Sequence, residues 1–159
     1  MTDMDAAADL RSLADEIARR AQRRGLQVAA AESLTSGAIA SALGRGSDAS
    51  EWFAGGVVAY SEHVKREVLG VTAASVLTPQ CARELATGAR RVLGAGIAVA
   101  VTGVGGPEPE EGLPPGTVFA AVAVGDEVRN AEWHFDGDPA DVVEQTVATA
   151  LQLVRDALA

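Results

Sequence analysis

The chain has 159 residues, 48% apolar and 22% charged, with no internal change of composition, so a single domain over 1–159 is expected. Its formal net charge is −9 and its 13 basic residues are scattered, which excludes the basic footprint that a nucleic-acid duplex demands. The lone Cys81 cannot form an internal disulfide, no apolar run nears the roughly 20 residues of a membrane helix, and the acidic start (Asp3, Asp5, Asp9) lacks the order of a signal peptide. A soluble, cytoplasmic, acidic domain that binds neither nucleic acid nor membrane is expected.

Helical spacing of Leu10, Leu13, Ile17, Ala18 and Ala21 predicts a first helix over 9–24, stopped by Gly25. Val28 to Ala31 reads as a buried strand. A second helix should begin near Thr35 or Ser36 and end at the Gly44-Arg45-Gly46 turn. Residues 53–60 form a β-branched, glycine-rich strand, and Ser61 can cap a short helix through Lys65 to Leu69. Thr78-Pro79 is a capping hydroxyl before a first-turn proline; that helix carries Ala82, Leu85, Ala86, Ala89 and Leu93 on one face and ends at Gly94. Residues 96–102 are a buried strand, followed by a glycine- and proline-rich loop over 103–116. Two further strands, 117–124 and 128–135, flank Gly125-Asp126, a hairpin signal. Asp138-Pro139 opens the last helix, with Val142, Val143, Thr146, Val147, Ala150, Leu151 and Val154 inward. Helices alternating with buried strands imply an α/β sandwich of about five strands, and the hairpin makes the sheet mixed.

Three loops leave strand ends, where α/β sheets build sites. In Ala31-Glu32-Ser33-Leu34-Thr35-Ser36-Gly37, a serine at a strand-to-helix turn is an exposed nucleophile, with following N–H groups as an oxyanion hole. Spacing alone favours the other reading, with Ser33, Thr35 and Ser36 as helix caps and Gly37 as a packing residue. In Tyr60-Ser61-Glu62-His63-Val64-Lys65, a buried lysine assisted by a tyrosine hydroxyl can serve as base. Otherwise Lys65 is a solvated residue paired with Glu62, and Tyr60 is a core aromatic with its hydroxyl at the rim. The glycines after Thr102 can bring backbone N–H groups to a phosphate, or they belong to a mobile surface loop in which Glu108, Glu110 and Glu111 repel anions. This segment is neither a P-loop nor a dinucleotide fingerprint. Two histidines and one cysteine give no metal-site spacing. His134, between Trp133 and Phe135, reads as a rim or core residue, and Cys81 as a packing residue. Spacing by itself supports an α/β domain with the parts of a hydrolase.

Together and in this order, AESLTSG, WFAGGVVAYSEHVKREVLGV, AVAVTGVGGP and PPGTVFAAVAV resemble the C-terminal domain of the competence-damage-inducible CinA family, which includes stand-alone nicotinamide-nucleotide amidohydrolases. The resemblance covers almost the whole chain. It implies a three-layer α/β/α sandwich with a mixed, mostly parallel sheet and a homo-oligomer, for which the apolar Trp52-Phe53 pair is a candidate contact. The implied activity hydrolyses the carboxamide of nicotinamide mononucleotide to nicotinate mononucleotide and ammonia, with no metal or organic cofactor. It assigns catalysis to Ser33, Tyr60 and Lys65. Substrate binding falls to Thr35, Ser36, Gly37, Thr102, Gly103, Gly105 and Gly106. The length leads to the expectation that the pterin-binding-type domain often fused to this one is absent.

Several positions depart from the family pattern. Ser36-Gly37 stands where the family has two glycines, Glu62 where it usually has asparagine, and Gly105 where it usually has alanine. Pro139 and Val143 occupy positions that typically carry arginine, the natural phosphate fork. Arg66 or Arg129 could substitute from elsewhere in the fold. These departures leave two alternatives open, an amidase for a smaller or uncharged amide and a catalytically silent binding or interaction module. A lowered Lys65 pKa favours an amidase.

Overall fold

A computed structural model describes residues 2–159. The elements are α1 (Asp3–Arg24), β1 (Val28–Glu32), α2 (Ala38–Gly44), α3 (Ala49–Trp52), β2 (Phe53–Val58), α4 (Glu62–Glu67), α5 (Pro79–Leu93), β3 (Ile97–Gly103), β4 (Thr117–Val124), β5 (Glu127–His134) and α6 (Pro139–Ala157). The strands form one sheet in the order β2-β1-β3-β4-β5. β1 pairs in parallel with β2 and β3, whereas β4 pairs antiparallel with β3 and β5. Four strands therefore run one way and β4 alone runs the other, so the sheet is mixed and mostly parallel.

Strand alternation divides the core into two layers. Val28, Ala30, Ile97, Val99, Val101, Val118, Ala120 and Val122 face one side, where α1, α2 and α6 bury Ile17, Ile39, Leu43, Leu151 and Val154 against them. Ala29, Ala31, Ala98, Ala100, Phe119, Ala121 and Ala123 face the other, against Cys81, Leu85 and Ala89 of α5. The fold is thus the expected three-layer α/β/α sandwich. The alanine floor lets α5 sit close, and Gly88 of that helix lies directly against the Leu69 backbone.

Local signals set most boundaries. Thr2 and Asp5 form a capping box on α1, and left-handed Gly25 (φ 63°) closes it. Arg20 and Arg24 of α1 donate to the carbonyls of Arg155 and Ala157, which satisfies groups that the end of α6 leaves open. Thr78 caps α5 ahead of Pro79, and Asp138 with Asp141 caps α6 ahead of Pro139.

Three expectations need correction. α2 begins at Ala38, after Ser36 and Gly37 take left-handed conformations (φ 52° and 101°) that no helix continues. The short α3 breaks what reads as loop between α2 and β2. The 103–116 loop is pinned rather than loose: Val104 is buried, its N–H donates to Thr117 O at 2.8 Å, and Gly116 N–H donates to Val104 O at 2.8 Å.

Candidate active site

The ends of β1, β2 and β3, the start of α6 and the 103–116 loop enclose a cavity of about 260 Å³. Ser33, Tyr60, Lys65, Thr102, Gly103, Gly105 and Gly106 all line it, from segments spread across the chain. A larger groove of about 540 Å³ lies between α1 and α6 but includes none of these residues.

Lys65 is the telling residue. It sits on the short helix capped by Ser61, whose hydroxyl accepts from Val64 N at 3.2 Å. Helix α4 turns its side chain inward, leaving it 2% exposed. Its Nζ donates to the Tyr60 carbonyl at 2.9 Å. Burial pushes its pKa below the ordinary lysine value, against smaller upward pulls from Cys81, Glu62 and Glu110. The solvated reading of Lys65 is therefore overturned. Its expected partner is engaged elsewhere: Glu62 accepts from Arg66 at 2.7 Å.

Tyr60 is no core aromatic. It is 68% exposed at the cavity rim, and its backbone, not its phenol, meets Lys65. Ser33 is buried at the other wall, and among the described residues no hydrogen bond joins it to Lys65 or to the Tyr60 phenol. Thr102 lines the cavity with its hydroxyl engaged, donating to Val76 O at 2.8 Å. A Cβ at Gly103 would come within 2.5 Å of Thr117 O, so glycine there permits close packing of the loop on β4. A Cβ at Gly105 would meet nothing within 4 Å, so alanine fits there.

Thr35, Ser36 and Gly37 do not line the cavity. Two of the N–H groups expected in an oxyanion hole are already engaged, Ser36 N–H with Ser33 O at 3.1 Å and Gly37 N–H with Glu32 Oε1 at 3.1 Å. Nor do the serine and threonine hydroxyls cap α2, whose N-cap is Gly37 with no side-chain bond. Thr35 is buried with its hydroxyl unpartnered. The N–H groups of Leu34 and Thr35 have no protein acceptor among the described residues.

The cavity wall also carries Glu62, Glu110, Pro139 and Val143. Val143 is half-buried, packing against the core as expected and also lining this wall. Neither candidate arginine replaces the missing forks. Arg66 is held by Glu62, and Arg129 lies exposed on β5 beside Glu127, away from the cavity. His134 is also exposed on β5, close to Glu132. Trp52 is fully buried with its indole N–H on Ser47 O at 2.8 Å, so of the Trp52-Phe53 pair only the half-buried Phe53 reaches the surface. Among the described residues no group of His, Cys, Asp and Glu could hold a metal, and no helix is long and apolar enough to cross a membrane.

A family profile described as the CinA C-terminal domain matches residues 10–158. The chain belongs to that family. It is 35% identical over 148 residues to a putative competence-damage inducible protein of Bacillus velezensis, covering 90% of this chain and 36% of that one. Against a protein of the same description from Desulforamulus reducens it is 40% identical over 136 residues, 82% of this chain and 33% of the other. The chain thus spans about a third of these curated relatives. Crystal structures of CinA superfamily proteins share the fold. One from Klebsiella pneumoniae superposes with TM-score 0.89 at 35% identity, covering 94% of this chain and 97% of that chain. The one from Enterobacter cloacae gives 0.91 at 29% identity, covering 94% and 92%. This CinA C-terminal domain therefore has structural relatives of about its own length, and longer sequence relatives that it matches over about a third of their length.

Proposed function

We propose that this CinA C-terminal domain is a serine amidohydrolase that converts nicotinamide mononucleotide to nicotinate mononucleotide and ammonia. The observation that carries the reading is Lys65, a lysine of lowered pKa buried in the cavity that Ser33 also lines. A neutral amine has two hydrogens and one lone pair. One N–H can serve the Tyr60 carbonyl while the lone pair accepts a proton. Ser33 Oγ attacks the carboxamide carbon and its proton passes to Lys65 Nζ. The C–N bond then breaks as Lys65 returns that proton to the leaving nitrogen, releasing ammonia and leaving an acyl ester on Ser33 Oγ. Lys65 takes a proton from water as it attacks the ester and passes it to Ser33 Oγ as the C–O bond breaks; the acid that leaves ionises to carboxylate, its proton taken up by the released ammonia. The free N–H group of Leu34, which lines the cavity, is the candidate donor to the oxyanion, and those of Ser36 and Gly37 are not. The Tyr60 phenol at the rim steadies the incoming substrate.

Ammonia release from nicotinamide mononucleotide tests the reading, with Ser33→Ala and Lys65→Ala beside the wild-type protein. Activity in the wild type that is lost in both variants supports it. Wild-type activity kept by Ser33→Ala removes the serine mechanism, and a folded wild type inert on every amide supplied leaves a silent binding module as the better reading.

A second reading has an observation of its own. Glu62 and Glu110 line the cavity with Pro139 and Val143, and Lys65 is the single basic side chain among them. The first turn of α6, which could otherwise favour an anion, has Pro139 without an N–H and carries the Asp138 and Asp141 carboxylates on its own backbone. This wall suits an amide without a phosphate. Parallel assays on nicotinamide riboside and nicotinamide separate the two readings. A homo-oligomer and a cytoplasmic location are expected, the latter supported by the free, buried Cys81 thiol.

A further inference from the structure

We propose that Glu32 is the positioning residue of this site, fixing where Ser33 stands by holding the turn that follows it. The inference rests on Ser33 being the nucleophile of the reading above, and its structural half stands independently. Glu32 closes β1 on the face of Val28 and Ala30, and it is 1% exposed. A carboxylate is not buried without donors, and three backbone groups supply them. Oε1 accepts from Gly37 N at 3.1 Å and Ile39 N at 2.8 Å, and Oε2 accepts from Ala40 N at 2.9 Å. Glu32 thus takes the part of the missing cap, since Gly37 offers α2 no side chain.

The same residue anchors the other end of the turn. Its own carbonyl accepts from Ala59 N at 2.7 Å, beside the end of β2. Residues 33–36 are strung between these two attachments. Ser36 and Gly37 adopt left-handed conformations within the span, which persist where surrounding contacts over-determine them. Among the described residues no other side chain hydrogen-bonds to the backbone of 33–37. Glu32 does not itself line the cavity, so it acts through Ser33.

The test is Glu32→Gln, which keeps the shape but turns an NH2 group towards one of the three donors. Three quantities are read: amide hydrogen exchange at Gly37, Ile39 and Ala40; labelling of Ser33 by a sulfonyl fluoride; and kcat and KM for amide hydrolysis. In the wild type the three amides exchange as slowly as those of β3. In the folded variant they exchange at least tenfold faster while Val99 and Val101 stay within twofold. Ser33 labelling and kcat fall at least tenfold and KM stays within threefold. A folded variant whose labelling and kcat are within twofold of wild type overturns the proposal. So do wild-type amides at 37, 39 and 40 that exchange as fast as exposed loops, a measurement that decides even where Glu32→Gln does not fold. A wild type inert on amides, whose Ser33 labelling still falls tenfold in Glu32→Gln, removes the amidohydrolase reading and leaves the positioning role.

Discussion

Lys65 Nζ lies 2.9 Å from the Tyr60 carbonyl oxygen, so the buried amine is held by a backbone acceptor five residues earlier and not by a carboxylate. A carboxylate in that place would favour the charged ammonium; a neutral acceptor leaves burial as the ruling effect, and burial lowers the pKa. A base must be neutral to act. The kcat/KM profile for amide hydrolysis should therefore rise with pH through a midpoint below the ordinary lysine value of 10.5. Stability moves the same way. Below the lowered pKa the folded state carries the cost of a buried ammonium, and the cost is relieved between that pKa and 10.5, where the unfolded chain holds the extra proton. Urea midpoints across this window should rise less in Lys65→Met than in the wild type; identical slopes would refute the assignment.

Val143 faces the cavity one helical turn after Pro139. Val143→Arg would place a guanidinium on a wall that now offers only Lys65 as a cation. A hydrogen bond between charged groups is worth about 1.5–3 kcal/mol, so affinity for a phosphorylated amide should improve by about tenfold or more relative to its unphosphorylated counterpart. The ratio of KM values for nicotinamide mononucleotide and nicotinamide riboside reads this directly. A ratio unchanged within twofold means that the phosphate, if bound, lies elsewhere.

Gly88 inverts a general rule. Replacing an interior helical glycine by alanine usually stabilises a helix by about 1 kcal/mol. Here an added Cβ would run into the Leu69 backbone, which has no rotamer with which to yield. Gly88→Ala should instead destabilise the fold by about 1–3 kcal/mol, the usual range for overpacking. Chemical denaturation checks the sign, and a more stable variant would show that α5 and the 68–70 segment can separate freely.

Cys81 lies fully buried in the first turn of α5, where burial raises its pKa from 9.0 to about 11. Thiolate is the reactive form, so iodoacetamide at pH 8 should modify the native protein only through unfolding. Because the folded pKa lies above the unfolded one, stability attributable to this thiol falls as pH rises from 9 to 11, opposite to the Lys65 effect. Cys81→Ala should remove that fall. Labelling as fast as that of a free thiol would contradict the burial.

The element order apart from α3, most of the core faces of α1, α5 and α6, and the caps at Thr78 and Asp138 were readable, because they depend on neighbours three or four residues apart. The meeting of Ser33, Tyr60, Lys65, Thr102 and the glycines of 103–106 was suggested by their common place after strands, and the parallel pairing of β2, β1 and β3 brings those strand ends to one side. Local spacing does not single out Glu32. Its signal was present in a strand that ends on a carboxylate ahead of a helix with glycine at its cap, but the partners stand five to eight residues on and depend on the turn between.

Sequence alone determined the kind of molecule: an acidic α/β sandwich with a serine, a tyrosine and a lysine at strand ends. Periodicity, capping and composition are local properties, and they carry that much. Only the tertiary structure decided which charges meet. Lys65 loses its water because α4 turns that one side chain inward, towards Cys81 at the start of α5, Glu62 turns to Arg66, and Trp52 goes into the core instead of to a surface. Burial depends on everything packed around a residue, so the lowered pKa of the candidate base and the set of charged groups lining the cavity came from the assembled fold.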